Sequence, residues 1–194
     1  MRAPETSTRQ RIVDESTRLF AEQGYAGTSV REIVEAAGVT KPTLYYWFGN
    51  KEGLFTALVD VHMGRWLEEL EKIVEGTGSA SERLAAYLKA SLQEAIDKPD
   101  VIAFLAQAFQ QAGQGASCVD CTRFLAAEAQ LLGRLAAEGI AAGELREGLD
   151  PAQVALAAMG LVHIHIGASL HGGAPISADA AASVADILLN GVTP

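Results

Sequence analysis

The sequence predicts an all-α protein, and three observations carry that expectation. Apolar residues recur at spacings of three and four rather than two, so the repeating unit is a helical face and not a pleated strand. Alanine and leucine dominate the second half and aromatic residues make up only 6% of the chain, a composition that favours helix over sheet. Cap and stop residues punctuate the chain at helical lengths, with no strand pattern between them. With 194 residues, 49% of them hydrophobic, the chain can build a small domain and a larger one on a continuous helical core.

The first helix is announced by Ser7 and Gln10 as a capping box; Ile12, Val13, Leu19 and Phe20 then share a face until Gly24 stops it. In the second, Ser29 and Glu32 make another capping box. Val30, Ile33, Val34 and Ala37 form a buried stripe opposite Arg31, Glu32 and Glu35, and Gly38 supplies the left-handed residue that ends it. A third helix begins just beyond. Thr40 caps it and Pro42 fits its first turn, with the start at Thr40 or Lys41 because proline disfavours helical backbone in the residue before it. Leu44 and Phe48, four apart, anchor it to a core, so Thr40, Lys41, Thr43, Tyr45, Tyr46 and Trp47 share the other faces. So short a helix cannot bury three aromatic rings. A cation, small hydroxyls and rings with polar tips suit contact with phosphates and base edges, and a helix of this width fits the DNA major groove.

The stretch AGVTKPTLYYWFGNKEGL resembles the signature of the TetR family of one-component transcriptional regulators, over about Arg9 to Leu58. Thr28, Ser29, Ile33, Ala37-Gly38-Val39, Thr40, Leu44-Tyr45, Phe48, Lys51-Glu52 and Leu54 stand where that pattern expects them. Pro42 stands where glycine is frequent and Trp47 where histidine or tyrosine is, which blurs the bases read. The resemblance implies a homodimeric DNA-binding regulator, usually a repressor. Residues 1–50 would be a helix-turn-helix domain, and residues 51–194 a ligand-binding and dimerisation domain. The expected partners are double-stranded DNA with a pseudo-palindromic operator and a small-molecule effector. The DNA-binding set is Thr28, Ser29, Arg31, Thr40, Lys41, Pro42, Thr43, Tyr45, Tyr46, Trp47 and Lys51. Tyr46 and Lys51 match the family's phosphate-contacting positions, and Thr43 and Tyr45 are the choices for base edges.

Asn50 caps a long helix from Lys51 to about Glu75, with Leu54, Leu58, Val61, Trp66, Leu67, Leu70 and Val74 inward, which joins the two domains as a rod. A loop at Gly76–Ser81 precedes a helix over Ser81–Ala95, and residues 100–112 form another with Ile102, Leu105 and Phe109 on one side. After the glycine-rich Gly113–Cys121, helix returns over Thr122–Ala142. Asp150-Pro151 starts a helix that runs to about Leu170, and Ser177–Leu189 closes the chain. His62, Met63, Trp66, Phe104, Phe109, Phe124 and His163 are the candidates for lining an effector pocket.

The net charge of −9 is unusual for a DNA binder, but it is unevenly placed. Residues 1–55 hold seven basic and seven acidic side chains, leaving eight and seventeen for the remainder. Binding then rests on a few local cations rather than a general basic field. From Pro151 to Ala178 there is no Asp, Glu, Lys or Arg. Histidines and glycines interrupt this run, so it suits a bundle core or subunit interface rather than a membrane span, with Leu161 and Val184 expected at the dimer contact. Two cysteines and no leader pattern point to the cytosol. The Cys118-x-x-Cys121 spacing gives half a zinc site, but His163 and His165 lie about 200° apart around a helix and cannot complete it, so no metal or cofactor is expected. A thiol switch at these cysteines, or a partner protein, is the alternative to a small-molecule effector. No Glu stands three residues before any histidine and there is no phosphate loop or nucleophile elbow, which argues against an enzyme.

Overall fold

The computed structural model describes residues 5–111, 120–173 and 175–191. These form helices throughout, with no strand among the described residues: α1 (Glu5–Gly27), α2 (Val30–Ala37), α3 (Lys41–Phe48), α4 (Lys51–Val74), α5 (Ala80–Asp97), α6 (Pro99–Gln111), α7 (Thr122–Ala141), α8 (Pro151–Leu170) and α9 (Ala178–Asn190). α1 starts at Glu5, two residues before the start expected at Ser7. Gln10, the expected partner in the box, turns to Asp14 and donates to its Oδ1 at 2.7 Å. Gly24 breaks α1 as expected, its φ of 72° lying where only glycine sits without strain. The later start signals hold, Asp150 accepting from Ala152 N–H and Ser177 from Ala180 N–H. α5, expected over Ser81–Ala95, starts at Ala80 behind a capping box of Ser79 with Glu82.

The chain divides into two compact units, Met1–Gly64 with Asp100–Cys121, and Arg65–Pro99 with Thr122–Pro194. By packing, the division therefore falls elsewhere than the functional boundary expected at residues 50/51. In the first unit, α6 joins the N-terminal helices through aromatic packing. Phe104 is fully buried against Phe55 and Phe20, with ring centroids 5.1 and 6.2 Å away, and Phe55 in turn meets Phe20 and Tyr25 edge-on at 5.1 Å. Each ring so buried contributes about 1.5–3 kcal/mol. Gln107 Nε2 donates to the Ala21 carbonyl at 2.7 Å, satisfying backbone near the break at Gly24. The buried face of α6 is thus Phe104 and Ala108. Ile102, Leu105 and Phe109, the side expected from periodicity, are half-buried.

The second unit holds the latter part of α4 with α5, α7, α8 and α9 around Leu70, Leu84, Leu88, Leu132, Leu135, Met159 and Val184. One carboxylate enters this core. Glu128 on α7, 4% exposed, accepts from Trp66 Nε1–H at 3.1 Å and Tyr87 O–H at 3.0 Å. Burial, then the charge of Glu128, pushes the Tyr87 phenol well above its ordinary range, so it stays a donor at neutral pH. Arg83 is buried and paired with Glu138, and it donates to the Val74 carbonyl at 2.6 Å, fastening α5 to the end of α4. α8 packs chiefly on α7 and α9 on α5. Among the described residues α8 is the one helix long and apolar enough to cross a membrane, yet only 22% of its apolar window is buried.

Candidate nucleic-acid interface

The pair α2 and α3 is fixed from both ends. Ser29 Oγ accepts from Glu32 N–H at 3.2 Å while the Glu32 carboxylate accepts from Ser29 N–H at 2.8 Å, so the box is complete. Gly38, at φ 63° and ψ 40°, then reverses the chain, and Val39 N–H returns to the Val34 carbonyl at 3.0 Å. Thr40 is the N-cap of α3, accepting from Thr43 N–H at 3.4 Å, and Lys41 is the first helical residue. Ile33, Val34, Ala37, Leu44 and Phe48 are buried, which leaves one side of α3 open.

That side carries the expected residues. Lys41, Pro42 and Tyr45 are exposed, Thr43 and Trp47 are half-buried, and Tyr46 is 79% exposed with its ring edge-on to Trp47 at 5.2 Å. The Tyr46 hydroxyl reaches solvent, where it can both donate and accept a hydrogen bond. Arg31 is exposed but paired with Glu35 at 2.7 Å on its own helix. Thr28 is a different case. It is buried, and its hydroxyl donates to the Gly24 carbonyl at 2.8 Å and the Leu19 carbonyl at 3.2 Å, so it fastens the start of α2 to the end of α1 and presents nothing to solvent. Lys51 opens α4 with its Nζ 4.2 Å from the centroid of the Tyr25 ring. Partial burial pulls its ammonium below the ordinary lysine range, with Glu32 opposing the shift.

The corner between α3 and α4 depends on a residue that the motif reading passed over. Gly53 donates N–H to Asn50 Oδ1 at 2.7 Å, and a Cβ there would lie 2.2 Å from the Phe48 carbonyl oxygen. Glycine in the first turn of an otherwise good helix was the available signal.

The residues expected to line an effector pocket are shared between the two units. Met63 and Phe104 are buried in the first unit, and His62 is half-buried beside Phe104, its ring centroid 6.0 Å away. Thr17 O–H donates to the Val13 carbonyl at 2.8 Å, so its oxygen, 2.9 Å from His62 Nε2, accepts from that nitrogen and fixes the tautomer. Phe109 is half-buried on α6. Trp66 and Phe124 lie in the second unit, where Arg123 covers the Phe124 ring at 4.5 Å, and His163 is exposed on α8. Glu128 and Tyr87, which meet Trp66, had not been singled out. Cys121 is buried, and Cys118 lies outside the described residues. No group of three metal-ligating side chains occurs among the described residues.

Residues 12–58 match the family model for bacterial regulatory proteins of the tetR family. The chain is 28% identical over 139 residues to the fatty acid metabolism regulator protein of Bacillus subtilis, spanning 72% of this chain and 71% of that protein. The solved structure of FadR from Bacillus subtilis, in complex with stearoyl-CoA, covers 95% of this chain and all of its own, with a TM-score of 0.83 at 23% identity. A TetR/AcrR-family regulator from Thermobifida fusca is 29% identical, with a TM-score of 0.71 and coverage of 96% of this chain and 98% of that one.

Proposed function

The chain belongs to the TetR family of bacterial transcriptional regulators, and from that premise we propose that it represses its targets as a homodimer released from DNA by an apolar, acyl-bearing effector. The observation that carries the DNA half is the open face of α3, with Lys41, Thr43, Tyr45 and Tyr46 set on a helix pinned by caps and by Leu44 and Phe48. Residues 1–50 read DNA and residues 51–194 hold the effector and the dimer contact. It works in the cytoplasm, where its operator lies. The acyl class is suggested by the fatty acid regulator of Bacillus subtilis, whose likeness runs well beyond the reading helices, and by an apolar bundle that suits a hydrocarbon tail.

Selection from random duplexes followed by footprinting tests the first half. The expected operator is a pseudo-palindrome with half-sites about one helical turn, or a small multiple of it, apart. A single unrepeated half-site protected at saturation would overturn the dimeric reading.

The contacts divide by chemistry. Lys51→Ala and Tyr46→Phe weaken all duplexes alike, and Lys51→Ala makes the salt dependence shallower by about one ion per subunit. Thr43→Ala and Tyr45→Ala instead change the preference among operators, read by competition between duplexes differing at single base pairs.

For the effector, stearoyl-CoA is the first compound to try and free coenzyme A its control. Calorimetry with and without operator should give reciprocal coupling, each ligand weakening the other by the same factor. Equal stearoyl-CoA affinity in both conditions, or release by coenzyme A alone, would rule out the acyl reading.

A further inference from the structure

The described residues 8–55 carry six cationic side chains, and their surroundings divide them. Arg18 is held by Glu15 and Glu22 at 3.0 Å, and Arg31 by Glu35 at 2.7 Å, each on its own helix. A carboxylate that positions a cation also cancels its field. Arg9, Arg11, Lys41 and Lys51 have no carboxylate at ion-pair distance among the described residues. Arg11 and Lys41 are exposed, but Arg9 and Lys51 are half-buried and each lies against a ring. The Arg9 guanidinium carbon is 5.6 Å from the centroid of Phe48, and Lys51 Nζ is 4.2 Å from that of Tyr25.

A ring face attracts a cation through its quadrupole without neutralising it, so the charge remains available to an anion. Both rings are themselves fixed. Phe48 is the buried last residue of α3, and Tyr25 stacks on Phe20 at 6.0 Å and meets Phe55 edge-on at 5.1 Å. Phe48 and Lys51 are three residues apart, so both ring-held cations attach to the same corner, where the reading helix ends and α4 begins. Conformational freedom lost in advance is not lost again on binding, which is what holding a long side chain on a rigid ring achieves.

Building on the operator-binding reading above, we propose that Arg9 contacts the DNA sugar–phosphate backbone, as the second of two ring-held cations at this corner, with Phe48 as its positioning residue. Neither the sequence pattern nor the helix-turn-helix itself pointed to Arg9, because the ring that holds it lies 39 residues further along the chain.

The test is fluorescence anisotropy of the full-length protein on a labelled random-sequence duplex across a salt series, with Lys51→Ala as reference. Arg9→Gln should make the slope of log affinity against log salt shallower by about 0.9 per subunit. At ~0.1 M salt the affinity should fall about eightfold per subunit, taking the contact to vanish near ~1 M. Arg9→Lys keeps the slope. Phe48→Leu also keeps the slope, since the charge survives, but lowers affinity, and the double variant with Arg9→Gln binds no more weakly than Arg9→Gln alone. If Phe48→Leu fails to fold by circular dichroism, Arg9→Gln and Arg9→Lys decide alone. A wild-type slope in Arg9→Gln, with the slope lowered in Lys51→Ala, overturns the proposal and leaves the DNA reading standing. Wild-type protein with no salt-dependent affinity for duplex overturns both.

Discussion

Gly53→Ala removes operator binding while most of the helix content remains. The residue sits in the first turn of α4, directly beneath the end of α3, where an added Cβ would stand 2.2 Å from the carbonyl oxygen of Phe48. Carbon and oxygen in ordinary contact lie about 3.3 Å apart, so the corner must open by about 1 Å. The obstruction is backbone, not a side chain that can turn away. Nor is the backbone free to give. Asn50 N–H donates to that same Phe48 carbonyl at 2.8 Å, Gly49 N–H reaches the Tyr45 carbonyl at 2.9 Å, and Gly53 N–H is held by Asn50 Oδ1 at 2.7 Å. Opening the corner therefore moves α3 against α4 and shifts Tyr46 relative to Lys51. Overpacking of this kind costs about 1–3 kcal/mol. Two subunits must fit one operator, so the loss is on the order of 10²- to 10⁴-fold in affinity. Anisotropy on the selected operator measures it, with circular dichroism to show that the helices persist. Binding within threefold of wild type would mean that the corner opens freely.

The sequence made the local parts of this fold readable and left the distant ones unread, for a physical reason. The box at Ser29 and Glu32, the left-handed Gly38, the Thr40 cap and the Asp150-Pro151 start are each decided within a few residues, and each stands as expected. The face of α6 was not so decided. Val101, Ile102, Phe104, Leu105 and Phe109 make that helix apolar nearly all round, so periodicity could not choose a side. The choice is made by Ala21, which lies 86 residues from Gln107, and by Phe20 and Phe55. The same holds for Glu128, whose donors Tyr87 and Trp66 are 41 and 62 residues away. A lone glutamate in an alanine-rich helix reads as surface. Of the candidate interface, the open face of α3 was legible because exposed aromatics on a short capped helix contradict burial, whereas Thr28 matched a family position while its hydroxyl faces inward.

Ile164→Glu separates the dimer without unfolding the chain. The run from Pro151 to Ala178 carries no charge, and in the single chain part of it stays uncovered: Leu156 is 53% and Ile164 65% exposed, with Ile187 of α9 at 45%. Leu156, Gly160 and Ile164 are four apart and form one ridge, and a Cβ built on Gly160 would meet nothing within 4 Å. A ridge with a glycine at its centre admits the close approach of a second helix. In a two-fold dimer the same ridge serves both subunits, so one substitution enters the interface twice and sets two carboxylates in apolar surroundings. Val184, which the sequence placed at this contact, is the wrong position to test it. It is 1% exposed within its own chain, so a charge there attacks the core of the second unit instead. The expected result for Ile164→Glu is a monomer in sedimentation velocity with an unfolding midpoint close to wild type. Operator affinity falls by roughly 10²–10⁴, the advantage that tethering two reading heads confers. A variant that remains dimeric would place the interface on a different surface.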